Sequence, residues 1–331
     1  MFGLFAKAPA ARRDYSDCSG CSLCFLVCPM WRDRHDPSFT PEGLAKALQC
    51  GATASALAAP LDACSLCGAC DPVCPERIDL SGMIMNLRRQ LASSAAPSRP
   101  AVLDDLRTRL RRDIIAGSAV SRSAPVLLPG SDLRTAPALL ARVQALLGLT
   151  VVEDDGADIS LALEAGVEIP QARLQGFLAS LRGHSIVAED GLLLRQLRRW
   201  LPGSQRMGLG AALSSRTALR GKLGASDLYV IEPRAYHADH ERMVAYYNRL
   251  QIETGCTLSL DLQRIAIPAV AQSLSQRLGL VPGDDPGQAN WILQGSKATR
   301  IVVETLADRA AFERVSDLPV LHIADLAGSL K

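Results

Sequence analysis

The chain has almost no net charge: 36 lysines and arginines stand against 34 aspartates and glutamates, a balance of +2 over 331 residues. That balance argues against a nucleic-acid surface held by counterion release, which needs a basic excess. Long apolar runs are missing too. Stretches such as PALLARVQALLGLTVV are broken by Arg142 and Gln144 and fall short of the roughly 18 uninterrupted residues of a membrane span. Membrane contact therefore needs a partner. The N-terminal MFGLFAKAPAARRDYSDC has too short an apolar run for a secretory leader, and Arg12-Arg13 is followed by polar residues. This points to the cytoplasm, where thiols stay reduced and open to metal. The sequence has no P-loop, no G-x-S-x-G and no H-E-x-x-H, so no independent catalytic constellation is readable. At 48% hydrophobic, the chain is nevertheless long enough to bury a core in two domains.

Cysteine is scarce over most of the chain and concentrated near one end. Eight of the ten cysteines fall in CSGCSLCFLVCP and CSLCGACDPVCP, and only Cys50 and Cys256 lie elsewhere. Each run reads C-x2-C-x2-C-x3-C-P: Cys18, Cys21, Cys24 and Cys28 before Pro29, then Cys64, Cys67, Cys70 and Cys74 before Pro75. This is the run of bacterial two-cluster ferredoxins, whose fourth cysteine ligates the other cluster. Three thiolates from one tight loop curl around a face of an iron-sulfur cube, while a helix starting there carries the fourth away. The expected ligand sets are crossed: Cys18, Cys21, Cys24 and Cys74 for cluster one, and Cys64, Cys67, Cys70 and Cys28 for cluster two. With all positions filled, two 4Fe-4S clusters are favoured over a three-iron variant. Structural zinc and a disulfide framework are the competing readings; zinc wants two separated pairs per site, and disulfides suit secreted chains. The proline after each fourth cysteine helps turn the chain away.

Between the runs, FTPEGLAKALQCG predicts a short helix capped by Thr40, with Pro41 in its first turn and Gly51 beyond its end. Cys50 is expected to be a small buried residue packing near a cluster. After the second run, Ile78, Leu80, Ile84, Leu87 and Leu91 recur at helical spacing, with Arg88 and Arg89 expected outward. In a chain with 4% aromatics, the group Phe25, Val27, Met30 and Trp31 stands out as a shield that excludes water from one cluster, although core packing explains it equally.

Residues 93–100, SSAAPSRP, form a linker, and VLDDLRTRLRRDIIAG predicts a helix after it. From Ala124 the pattern alternates between strands and helices. Strands are expected at PVLLPG (125–130), LTVVED, HSIVAED (184–190), DLYVIEP (227–233), TRIVVET (299–305) and LPVLHIA (318–324). Helices are expected between them, clearest in APALLARVQALLG, ADHERMVAYYNRLQIETG and LADRAAFERV. Two comparable halves, roughly 123–203 and 220–331, suggest an internal duplication. The fold class read from the sequence is thus α+β followed by α/β: a helical two-cluster ferredoxin-type domain at 1–95, a linker and helix at 96–122, and a duplicated α/β domain at 123–331.

Two ferredoxin runs followed by a duplicated α/β domain resemble the group of iron-sulfur subunits found in heterodisulfide reductase, glycolate/lactate oxidase and anaerobic glycerol-3-phosphate dehydrogenase. The resemblance covers residues 14–92 firmly and suggests itself beyond. It implies a chain that relays single electrons to or from a flavoprotein partner, with FAD or FMN present only through that partner. A membrane or quinone-linked acceptor would be reached through a further subunit. Relatives usually carry a Cys-Cys-Gly signature in the C-terminal halves. Here LLPGSDL has Ser131, and VVEDDGADIS has Asp154-Asp155-Gly156, at the corresponding places. Only Cys256 remains in that domain, too few thiolates for the noncubane cluster of disulfide chemistry, so the domain reads as a degenerate copy kept for docking or shape. An autonomous thiol-disulfide reductase and an iron-sulfur sensor or scaffold are the rival functions.

The remaining signals are weak. His237 and His240 stand three apart on an expected helix and could offer two metal ligands, but exposed or interface histidines fit the pattern better. His35, His184 and His322 are isolated and read as structural. MGLGAAL at 207–213 has a fragment of a glycine-rich turn without the full G-x-G-x-x-G or a convincing preceding strand. Cys256 lacks a basic neighbour and reads as a buried, inert thiol.

Overall fold

The computed structural model describes residues 13–94, 101–111, 124–283 and 287–328. Its N-terminal part is helical. Short helices at Leu23–Val27, Pro29–Arg34, Pro41–Gln49, Ala58–Ala63 and Cys70–Val73 lead into a longer one at Leu80–Ser93. The Pro41–Gln49 helix starts as its sequence dictates: Thr40 Oγ1 accepts from Gly43 N at 3.1 Å, and Pro41 fills the first turn. Asp79 caps the Leu80–Ser93 helix through Gly82 N at 3.0 Å.

Beyond residue 124 two parallel sheets follow. The first contains β1 (Val126–Leu128), β2 (Thr150–Val151), β3 (Ile186–Ala188) and β4 (Arg206–Gly208) in the order β2-β1-β3-β4. The second contains β5 (Asp227–Val230), β6 (Thr257–Leu258), β7 (Arg300–Val303) and β8 (Val320–His322) in the order β6-β5-β7-β8. The two orders are the same, strand for strand. In each sheet the chain steps to one side and then returns to the other, so a switch point opens between β1 and β3 and between β5 and β7. Ligand crevices of parallel α/β sheets form at such points.

Alternation along the strands divides the core. Leu127, Tyr229 and Val302 face a shared cluster that encloses the wholly buried Leu209–Ser214 helix. Val126 and Leu128 face outward with Ile186 and Phe177, and Val230 and Ile301 face outward with Phe312. The Ala101–Leu110 helix adds Leu103, Leu106 and Leu110 to the outer cluster of the first sheet; burying each leucine contributes about 1.5–3 kcal/mol. It therefore packs with the α/β part; of the linker expected at 93–100, Ser93 instead ends the Leu80–Ser93 helix, and residues 95–100, like the tail of the expected helix beyond 111, lie outside the described residues. Among the described residues no helix is long and apolar enough to cross a membrane.

Several expectations change. Arg88 points inward and is 2% exposed: it lies one turn beyond buried Ile84 and satisfies carbonyls of neighbouring segments. Cys50 is exposed, because it caps the Pro41–Gln49 helix where the chain turns away at Gly51. His237 and His240 do not share a helix; the chain breaks at Asp239 between Pro233–Ala238 and His240–Thr254. MGLGAAL itself opens on a strand, β4, whose last residue Gly208 caps the helix that follows.

Candidate iron-sulfur sites and an acid-lined cleft

The two cysteine loops share one backbone trace built from different residues. In the first, Gly20 and Ser22 have positive φ (78° and 60°); in the second, Leu66 and Gly68 do (51° and 78°). These are the same two places counted from each leading cysteine. Left-handed backbone costs a non-glycine residue about 1–2 kcal/mol, so each loop places one strained residue and one glycine where the curl demands them. Cys24 lies in the Leu23–Val27 helix and Cys70 opens the Cys70–Val73 helix, which carry Cys28 and Cys74 out of their own loops. Pro29 then begins a new helix directly after Cys28.

Two cavities result. Cys18, Cys21, Cys24 and Cys74 line one, together with Ile78 and Leu80. Cys28, Cys64, Cys67 and Cys70 line the other, together with Met30 and Ile84. Each thus gathers three cysteines of one run and the fourth of the other, in an apolar setting. Four thiols is the ligand number a 4Fe-4S cube takes. Among the described residues no three His, Cys, Asp or Glu side chains stand close enough to hold one metal ion. Burial pushes the thiols of Cys24 and Cys28 up to about 12 and that of Cys67 up to about 11, so a cluster held here would displace a proton from each of them. The shielding group divides: Phe25 packs by Cys24 and Cys18, Val27 by Cys67, and Met30 and Trp31 by Cys28.

The second cavity is held against the α/β part by buried polar groups. Arg88 donates to Leu61 O at 2.7 Å, to Cys64 O at 2.5 Å and to Glu164 O at 2.8 Å. Arg234 donates to Ser65 O at 2.5 Å and pairs with Glu164 at 2.7 Å. Burial alone would raise the Glu164 carboxyl, but Arg234, helped by Arg277, holds it down at about 2. His237 Nε2 accepts from Ala266 N at 3.3 Å, so Nδ1 carries the proton and donates to Cys67 O at 2.8 Å. Burial keeps this imidazole neutral, with its pKa lowered to about 3. Arg195 spans to Asp71 at 2.5 Å and Asp79 at 2.8 Å. Arg234 is the residue that sequence reasoning missed; Arg88 was expected outward and His237 exposed or at an interface, and both are buried instead. The one available signal for Arg234 was its place directly after the strand predicted at 227–233.

A cleft of about 120 Å³ opens where both switch points converge. Gly130 and Ser131 follow β1, Glu189 and Asp190 follow β3, Glu232 follows β5, and Asp308 follows β7; Ser65 and Cys67 close it from the cluster side. Burial pushes the carboxyls of Glu189, Glu232 and Asp308 up to about 7. Each also serves the fold: Glu189 accepts from Gly130 N at 2.6 Å, Glu232 from Arg234 N at 3.0 Å, and Asp308 from Thr305 Oγ1 at 2.8 Å.

The other sequence candidates are structural. Asp154 and Asp158 chelate Arg173 at 2.6–2.8 Å, and Gly156 begins the Ala157–Ala165 helix. Gly210 of MGLGAAL is small because a Cβ there would stand 1.9 Å from Glu304 Cδ, so its size serves packing. His240 Nε2 lies 3.4 Å from Arg264 O, His184 Nδ1 lies 2.7 Å from Ala124 O, and His322 Nε2 lies 3.0 Å from Glu304 O; His35 is exposed. Cys256 is fully buried, and burial raises its thiol.

Comparison with known proteins gives one match. No curated protein and no solved structure matches the chain. Residues 14–78 match the family model of a 4Fe-4S dicluster domain, which supports an electron-transfer iron-sulfur role for this part of the chain.

Proposed function

We propose that the chain is an electron-transfer subunit that relays single electrons between a flavoprotein dehydrogenase or reductase and a second redox partner. In this reading Cys18, Cys21, Cys24 and Cys74 hold cluster one, and Cys64, Cys67, Cys70 and Cys28 hold cluster two. The observation that carries it is the pair of four-thiol cavities, each assembled from both cysteine runs. A bound cube supplies one-electron chemistry; the chain supplies thiolates, an apolar wall and buried hydrogen-bond donors. Cys21 is exposed and Cys18 and Cys74 are half-exposed, which suits cluster one as the face offered to a partner.

The α/β part fits a docking platform. Its repeated strand order supports the reading of 123–331 as a duplicated, degenerate Cys-Cys-Gly domain, in line with the resemblance to the heterodisulfide reductase and glycerol-3-phosphate dehydrogenase iron-sulfur subunits. FAD or FMN enters through the partner, and a quinone-linked acceptor at a membrane through a further subunit. The cleft beside Cys67 favours a second reading, a reductase acting on a small polar substrate bound there. Anaerobic affinity purification from the native host, with identification of co-purifying chains and their flavin and iron, separates the two. The relay reading expects a stoichiometric flavoprotein. A chain emerging alone with iron beyond two cubes would overturn it in favour of the reductase.

A further inference from the structure

Three carboxyls of the cleft at the switch points are only half used by the fold. Glu189 Oε2 accepts from Gly130 N at 2.6 Å and Leu133 N at 3.3 Å, Asp308 Oδ2 accepts from Thr305 Oγ1 at 2.8 Å, and Asp132 Oδ1 accepts from Ser131 Oγ at 3.2 Å. The second oxygen of each has no hydrogen-bond partner among the described residues. Asp308 is only 4% exposed and lines the cleft. The three follow β1, β3 and β7, and the Ser131–Arg134 helix that carries Asp132 packs on the Leu306–Val315 helix that carries Asp308.

The opposite charge gathers on the cluster side of the same cleft. Arg234 and Arg277 both pair with Glu164, at 2.7 and 3.3 Å, so two guanidiniums share one carboxylate. Arg277 uses Nε there, and its two Nη groups have no partner among the described residues. Arg234 also reaches Ser65 O at 2.5 Å. Ser65 lines the cleft, is 5% exposed, and its hydroxyl has no hydrogen-bond partner. A buried hydroxyl left open marks a place that another group completes. The carboxyls stand too far apart for a metal ion, whose oxygen ligands must lie within about 2.0–2.6 Å. An ammonium group reaches further, with three donors at about 2.7–3.2 Å, and a carboxylate matches a guanidinium. The volume of about 120 Å³ is room for about four waters, and so for a molecule of about four to six heavy atoms.

We infer that the cleft binds a small zwitterionic amino acid, of the size of glycine or alanine, with its ammonium group among Asp132, Glu189 and Asp308 and its carboxylate toward Arg277, Arg234 and Ser65. The ligand then lies against the second cysteine loop at Ser65 and Cys67. For the reductase reading this names the substrate class; as a binding site it stands apart from both readings, because no cluster takes part in the contacts. Burial holds Glu189 and Asp308 at about 7. An ammonium group beside them favours the carboxylates, so protons leave as the ligand enters.

The test is isothermal titration calorimetry of the full-length, anaerobically purified protein near neutral pH, with glycine and with L-alanine as probes. It is repeated in buffers of different ionisation enthalpy, with iron determined on the same sample. At least one of the two amino acids should bind saturably, at a single site per chain, and release protons. Acetate and ethylamine each carry only one of the two charged groups and should bind at least about tenfold more weakly, the loss of one charge-assisted pair. Asp308→Asn and Arg277→Gln each should weaken the amino acid about tenfold, and Asp308→Asn should also reduce the proton release. The comparison of probes on the unmodified protein decides the matter by itself if a variant misfolds. No saturable binding of either amino acid, acetate or ethylamine binding as tightly, folded variants that bind unchanged, or magnesium competing for the site would overturn the inference. Iron for fewer than two cubes would overturn the relay reading and leave the site standing, so the two failures are distinguishable.

Discussion

The two cysteine cavities have nearly the same backbone and opposite settings. One opens at the surface, with Cys21 exposed and Glu42 and Glu76 on its wall; the other is enclosed between the helical part and the α/β part, with Cys28, Cys67 and Cys70 buried and the guanidiniums of Arg88 and Arg234 on carbonyls of its loop. The eight-cysteine pattern specifies what the two have in common. What distinguishes them comes from residues up to about 170 positions away along the chain, such as Arg234 on Ser65 O and His237 on Cys67 O. Local spacing builds the two loops, and the α/β part makes their surroundings unequal.

That contrast can be broken from the inside. Arg88→Leu keeps the bulk of the side chain but leaves the carbonyls of Leu61, Cys64 and Glu164 without their donor, and is expected to cost about 3 kcal/mol of stability. Lys46→Met, which removes the corresponding bond to Cys18 O from a half-buried site, should cost about 1 kcal/mol or less. Urea unfolding of the two variants measures the difference. Equal losses would mean that the enclosed loop is no better anchored than the exposed one.

The cleft supplies a pH test of the same enclosure. Burial raises Asp308 to about 7, so the folded state holds its proton more tightly than the unfolded state does. The associated stability is complete below the unfolded value near 3.8 and is lost as pH rises through about 7. Asp308→Asn should remove this loss and make the melting temperature less dependent on pH between 5 and 8, a difference on the order of 2 kcal/mol across that window. Glu164 and His237 act at the acid end. Their folded values are lowered to about 2 and about 3, so their contribution fades as pH falls. An unchanged alkaline limb in Asp308→Asn would place the titration elsewhere.

The smallest effect compares the loops themselves. Alanine at Gly68 must adopt φ near 78° and meets His237 Cβ at 3.2 Å, whereas alanine at Gly20 meets only the flexible end of Lys46 at 3.0 Å. Both substitutions carry the left-handed cost of about 1–2 kcal/mol, and Gly68→Ala should be the worse of the two. Thermal melting of the pair checks the order; Gly20→Ala as the more damaging change would contradict the packing described for the enclosed loop.

What could be read from the sequence follows from how each feature is encoded. The cysteines that line each cavity were legible because thiol spacing dictates which can share a loop. Strands β1, β2, β3, β5, β7 and β8 were legible as short apolar runs ending in turn residues. Strands β4 and β6, three and two residues long at sheet edges, carry too few apolar positions to announce themselves. Arg88 misled because a charged residue on an amphipathic helix usually faces water; here it replaces water for three carbonyls. The histidine pair misled because a single residue, Asp239, ends one helix and starts the next. The cleft was invisible because its carboxyls, Asp132, Glu189, Glu232 and Asp308, follow four separate strands that only the parallel topology brings together.

The most direct measurement is iron content in paired cysteine variants. Cys28→Ala with Cys64→Ala removes two ligands of one cluster in the crossed arrangement, so the double variant should keep about four irons, as each single variant does. Cys28→Ala with Cys18→Ala strikes both clusters and should retain almost none. The reverse pattern, about four irons in Cys28→Ala/Cys18→Ala and none in Cys28→Ala/Cys64→Ala, would contradict the crossed two-cluster relay.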